Sequence, residues 1–101
     1  MSDLRLKIGD CEIPEHFLLY VDLSIGSSPV TFGGVARGDE AARIRKRLRQ
    51  LAEERAIPYD AVDKNGTAST GICDIKDLKF EETSTTPIMT RFSGRLVHPF
   101  I

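Results

Sequence analysis

Two cysteines, two histidines and a crowd of charged side chains are the residues of this 101-residue chain that could do chemistry. His16 and His98 stand far apart, and neither sits in the H-x3-H or H-E-x-x-H spacing that places two imidazoles on one metal. They are read as surface or turn residues. Cys11 and Cys73 show no C-x-x-C spacing, so they are expected to be free thiols acting as small buried hydrophobes. No serine lies in G-x-S-x-G, so a hydrolase nucleophile is not indicated. Asp63, Asn65, Thr67 and Asp74 imitate the ligand positions of a calcium loop. However, Ala68 stands where that loop needs glycine, and no helix is expected on either side, so a hairpin is the better reading. Gly33 and Gly38 lack the Lys-Ser/Thr of a phosphate loop. Arg37-Gly38-Asp39 and the Asn65-Gly66-Thr67 sequon are idle without a secretory route. The expectation is no metal, no cofactor and no catalytic constellation, hence not an enzyme.

The loudest signal is cationic. Arg43, Arg45, Lys46, Arg47 and Arg49 crowd one segment of an amphipathic helix expected over residues 39–55. Asp39 is its expected N-cap, Glu40 favours the first turn, and Pro58 is its expected stop. At 100° per residue, Ala41, Ile44, Leu48, Leu51 and Ala52 fall within one arc of about 100°. The cations share no stripe: Arg45 and Arg49 flank one side of that arc, Arg43 and Arg47 the other, and Lys46 lies opposite. Asp39–Arg43 and Arg49–Glu53 stand at i,i+4, where each pair adds roughly 0.2–0.5 kcal/mol. The first reading is a solvated face that supports the helix. The functional reading is a partner-binding face made of the five cations. A phosphate-tracking face ranks third, because acids are interleaved and no companion set of stacking aromatics is visible.

Around the helix the signals are those of strands. Leu4, Leu6 and Ile8 alternate with Arg5 and Lys7, and Gly9-Asp10 turns the chain into a strand at 11–13. Residues 17–25 alternate most strongly, with Phe17, Leu19, Val21, Leu23 and Ile25 on one face. "GSSP" turns this strand into a short one at 30–32, after which Gly33-Gly34 loosens the backbone. Strands follow at 59–62, at 67–80 beyond the "DKNG" turn, and at 88–97. The apolar phase slips between Ile75 and Leu78, which predicts a bulge near Lys76-Asp77. "EETSTTP" reads as a polar loop and "HPFI" as a tail. The fold class is α+β: a mostly antiparallel sheet of about 5–7 strands with one helix packed on it.

Composition bounds the rest. The length suits a single domain over residues 1–101. Fourteen basic and fifteen acidic residues give a net charge of −1, which speaks against a dedicated nucleic-acid-binding domain. No apolar run approaches the roughly 20 residues of a membrane span, and the N-terminus lacks an apolar signal core, so residence in the cytoplasm is expected.

"PVTFGGV", a helix ending "RLRQLAEERAIPYDAVDKNG", then "GICDIKDLKFEE" and "TPIMTRFSGRL" together resemble the small tail proteins of long-tailed phages, especially the tail protein U family and related baseplate domains. Gly33, Leu48, Leu51, Ala52, Pro58, Gly66, Gly71, Ile75, Leu78, Phe92 and Leu96 carry the likeness, which begins at Pro29. The resemblance implies a structural subunit that works by assembling into rings, without chemistry of its own. The expected function is thus a non-enzymatic protein-interaction module. The alternative is a small regulatory or inhibitory domain meeting an acidic protein or RNA through the basic helix. A protein partner or self-association is expected, with nucleic acid and membrane not expected.

Overall fold

The computed structural model describes residues 4–23, 30–85 and 88–99. Seven strands and one α-helix follow one another as β1 (Arg5–Ile8), β2 (Cys11–Ile13), β3 (Leu18–Leu23), β4 (Val30–Arg37), α1 (Asp39–Ala52), β5 (Ile57–Val62), β6 (Ala68–Thr85) and β7 (Ile88–Val97). The strands form one sheet in the order β2-β1-β5-β6-β7-β4-β3, antiparallel at every pairing. The expected α+β class with a mostly antiparallel sheet and one helix is what the chain adopts.

The long strand β6 joins the two halves of the sheet. Its first part, Ala68 to Cys73, pairs with β5, and its second, from Asp74 onward, pairs with β7. The predicted bulge lies between them: the β6–β7 register shifts between Lys76 and Lys79, and Asp77 takes φ 54°. Alternation puts Leu6, Ile8, Ile57, Tyr59, Ala61, Cys73 and Ile75 on the inner face of one half, and Val21, Phe32, Phe92 and Leu96 on that of the other. All belong to one core with Ala41, Ile44, Leu48 and Leu51 of α1, the helix positions the sequence pattern selected.

Glycines opposite aromatic rings shape the centre of this surface. Phe32 stands opposite Gly94 and Phe92 opposite Gly34, a reciprocal square on β4 and β7, with ring centroids 6.4 Å apart. A Cβ on Gly94 would lie 2.9 Å from the Phe32 ring, and one on Gly34 would lie 2.9 Å from the Phe92 ring and against the Phe17 carbonyl oxygen. Tyr20 covers Gly33 across β3–β4 in the same manner, on the opposite face. These covers explain why β4 runs on to Arg37 instead of ending at Phe32: Gly33-Gly34 makes room for rings and a crossing backbone.

Other boundaries differ from the sequence reading for physical reasons. The helix ends at Ala52, not Arg55, because Glu53 to Ala56 must cross to the sheet where Ile57 pairs with Cys73. Ala56 takes φ 52° there, and its N–H donates to Asp74 Oδ1 at 2.8 Å. Pro58 therefore does not stop the helix and instead sits in β5. Its carbonyl accepts from Gly9 N–H at 2.7 Å. Its missing N–H faces the same turn, beyond the last residue of β1, so no ladder bond is lost. The N-cap is Gly38, with no side-chain cap, while Asp39 begins the helix and complements its dipole.

The nine-residue alternation at 17–25 is broken by a bulge between Leu18 and Tyr20. Phe17 and Leu18 are buried as a result, and Leu19 is 64% exposed. Ile25 and the "GSSP" turn lie outside the described residues. "EETSTTP" is not a loop through residue 85: Glu81, Glu82, Ser84 and Thr85 pair with β7, polar because this end of the hairpin projects past the core.

Leu48 is wholly buried whereas Lys46 is exposed on the same helix. Leu48→Ala is expected to cost about 2–5 kcal/mol in urea unfolding, and Lys46→Ala under about 0.5 kcal/mol.

Candidate functional site

Packing Ile44, Leu48 and Leu51 into the core fixes where the five cations of α1 point, and it divides them. Arg47 turns to the β1–β2 connection. Its Nε and Nη2 both meet Asp10 Oδ1 at 2.7 Å, and its Nη1 donates to Gln50 Oε1 at 3.2 Å. The Asp10 hydrogen bond raises the already high guanidinium pKa further. Arg43, on the same flank, approaches Glu40 at 3.6 Å, an i,i+3 contact in place of the expected pairing with Asp39. These two side chains have partners within the chain, and they belong to the edge of the fold beside β2.

Arg45 and Arg49 occupy the other flank, where the wheel placed them. Their guanidinium carbons sit 5.6 Å and 5.4 Å from the centroid of a single ring, Phe80 on β6. A cation held over an aromatic face gains about 0.5–1 kcal/mol at an exposed site, and the ring fixes its direction. Arg49 thus stacks on Phe80 rather than forming the expected pair with Glu53, and no Arg49–Glu53 ion pair occurs among the described residues. Arg45 Nε is buried without a hydrogen-bond acceptor among the described residues. Lys46 is exposed beside them.

Between this flank and the projecting β6–β7 hairpin runs a groove of about 530 Å³. The small side chains of Ala41 and Ala42 open it, Arg45, Lys46, Arg49, Gln50 and Glu53 line its helix side, and Glu82 and Thr90 close the sheet side. Three of the five expected partner-binding residues therefore share one groove, and Arg43 and Arg47 do not reach it. Phe80, under the two guanidiniums, and Glu82, in the lining, are the features that sequence reasoning missed. Phe80 stood only as the end of the expected strand at 67–80, and Glu82 fell in the expected loop. Asp10 carried no local signal either, standing 37 residues from Arg47.

The remaining candidates are structural. Asp63 Oδ1 accepts from the N–H groups of Asn65 and Thr67, both at 2.9 Å, tying a hairpin turn instead of a calcium loop. Asp74, the fourth imitated ligand, is bound to Ala56 N–H about 20 Å further along β6. No cluster of three or more His, Cys, Asp or Glu placed to hold a metal occurs among the described residues. His16 is exposed and lies tilted against Phe17 with centroids 4.3 Å apart, and His98 is exposed. Both cysteines are free and buried. Burial raises the Cys11 thiol pKa, aided by the Asp10 charge and opposed by Arg47 and Arg43. Burial pushes Cys73 up to about 12, with Asp74 adding to the effect. No helix among the described residues is long and apolar enough to cross a membrane.

The chain matches no protein-family profile, no curated protein and no solved structure.

A thiol whose pKa is higher in the folded state favours folding at low pH and loses that contribution as the unfolded chain ionises. Stability should therefore fall as pH rises from about 9 towards 12. Urea midpoints measured across this window should show a steeper decline for the native chain than for Cys73→Ala.

Proposed function

We propose that the chain is a non-enzymatic protein-interaction module, and that the groove between α1 and the β6–β7 hairpin receives an acidic segment of its partner. The observation that carries this reading is the trio Arg45, Lys46 and Arg49 along one wall, none of them in a carboxylate ion pair among the described residues. Phe80 holds two of the guanidiniums in place, so less side-chain entropy is lost when a carboxylate arrives. An apolar floor at Ala41 and Ala42 adds desolvation, which strengthens charge-assisted hydrogen bonds at the rim. In its sharpest form, suggested by the resemblance to phage tail proteins, the module is a structural subunit within a larger assembly. Two reduced, buried thiols suit a cytoplasmic setting.

The regulatory alternative uses the same groove for an acidic protein. RNA is the weaker choice of ligand, because both guanidiniums already occupy the one aromatic ring beside the groove and leave no free stacking platform there.

A fluorescein-labelled peptide alternating glutamate with leucine, followed by anisotropy, tests the reading. The native protein should bind it, and Arg45→Glu with Arg49→Glu should abolish binding while the circular dichroism spectrum is kept. Arg43→Glu should bind as the native protein does. A mixed-sequence oligonucleotide pool should bind no tighter than about 10⁻⁵ M at physiological salt. Sub-micromolar oligonucleotide affinity, falling steeply with salt and lost in the double variant, would replace the protein-partner reading with a nucleic-acid one.

A further inference from the structure

The face of the sheet turned away from α1 carries a second charged feature. Alternation places Thr31 and Gly33 of β4 on this face, together with Ser93 and Arg95 of β7. In one row across the strands Tyr20 stands opposite Gly33, Gly33 opposite Ser93, and Ser93 opposite Lys79. The Tyr20 ring lies over Gly33, its hydroxyl 2.6 Å from where a Cβ would stand. The β6 bulge sets the far wall. It adds one residue between Lys76 and Lys79, so Lys79 stands beside Ser93 while Leu78 packs against the core. Within the bulge, Asp77 Oδ2 accepts from Arg95 Nε at 2.6 Å and also meets Arg95 Nη2, which gives the guanidinium a fixed direction. The result is an open pit of about 350 Å³ lined by Tyr20, Thr31, Asp77, Lys79, Ser93, Gly94 and Arg95.

We propose that this pit binds a small phosphate monoester, with its phosphoryl group at Ser93 and Lys79 and its organic part on the Tyr20 ring. Donors dominate the lining. Lys79 forms no ion pair among the described residues. The hydroxyls of Tyr20, Thr31 and Ser93 form no hydrogen bond among them either. With Arg95, these groups converge from four strands as an ammonium, a guanidinium and three hydroxyls. That is more than the two oxygens of a carboxylate use, and it suits the three terminal oxygens of a phosphoryl group. The volume falls within the range of small-molecule sites, about 300–1,000 Å³. Tyr20 has one side of its ring on Gly33 and is 38% exposed, so an organic group has an aromatic surface to pack on. Acids bound the pit on this face: Asp22 stands opposite Thr31 at one end, and Glu81 follows Lys79 along β6 at the other. A polyphosphate backbone running on in either direction would meet these carboxylates, so a single phosphoryl group is the better fit. The pit lies on the other side of the sheet from α1, and this inference is independent of the groove there.

Titrating the native chain with phenyl phosphate, followed by amide proton–nitrogen correlation spectra, tests it. The amides of Gly33, Lys79 and Ser93 should shift and saturate with a Kd tighter than about 1 mM, and those of α1 should stay in place. Inorganic phosphate should move the same amides about tenfold more weakly, and phenol should move none of them. Lys79→Glu should weaken phenyl phosphate binding by at least about tenfold. Arg45→Glu with Arg49→Glu should leave it unchanged, which separates this pit from the groove. Shifts confined to α1, no saturation by about 10 mM, inorganic phosphate binding as tightly as phenyl phosphate, or native affinity in Lys79→Glu would each overturn the proposal. Should Lys79→Glu fail to fold, the shifts mapped on the native chain decide alone.

Discussion

Rings laid over glycines are the constraint on which the structure depends. Phe32 and Phe92 are among the largest fully buried side chains, and each stands opposite a glycine on the neighbouring strand. Removing a Cβ leaves a pit on the sheet surface, and the ring opposite fills it. Tyr59 lies over Gly71 on β5–β6 in a looser version of the same arrangement, the missing Cβ standing 3.5 Å from the ring. Glycine alone weakens a strand, but a ring packed across it restores the lost contact and fixes the register. Each pair works only in one register, so the covers pin β3, β4 and β7 together.

That surface determines where the helix lies, and the helix determines the charges. Ile44, Leu48 and Leu51 are a contiguous apolar strip that the inner face accepts in one orientation. With the strip buried, the flanks have no freedom: Arg47 reaches Asp10, and Arg45 and Arg49 reach Phe80. The groove that distinguishes Arg45, Lys46 and Arg49 from the other two cations is a by-product of this orientation together with the projecting β6–β7 hairpin.

Much of this architecture was legible in sequence because it rests on local periodicity. The helix face, the β1–β2 hairpin and the bulge after Lys76 all follow from the spacing of apolar residues. What was not legible depends on distant partners. Gly33-Gly34 reads as a break until Tyr20 and Phe92 are known to cover it. The alternation of residues 17–25 reads as one unbroken face, since nothing local marks the extra residue at Leu18–Leu19. Pro58 reads as a helix stop, and only the pairing with β1 shows that its missing donor faces a turn. The wheel separates Arg43 and Arg47 from Arg45 and Arg49, but what each flank meets, Asp10 on one side and Phe80 on the other, is remote in sequence.

A double-mutant cycle on Phe32 and Gly94, followed by urea unfolding, tests the central claim most directly. Gly94→Ala should destabilise the native chain by about 1–3 kcal/mol, because the new methyl overlaps the Phe32 ring. In a Phe32→Leu background the overlap is relieved, and the same substitution should cost less, giving a coupling of about 0.5–3 kcal/mol. Strictly additive effects would mean that the ring and the glycine do not depend on one another, and would contradict the account.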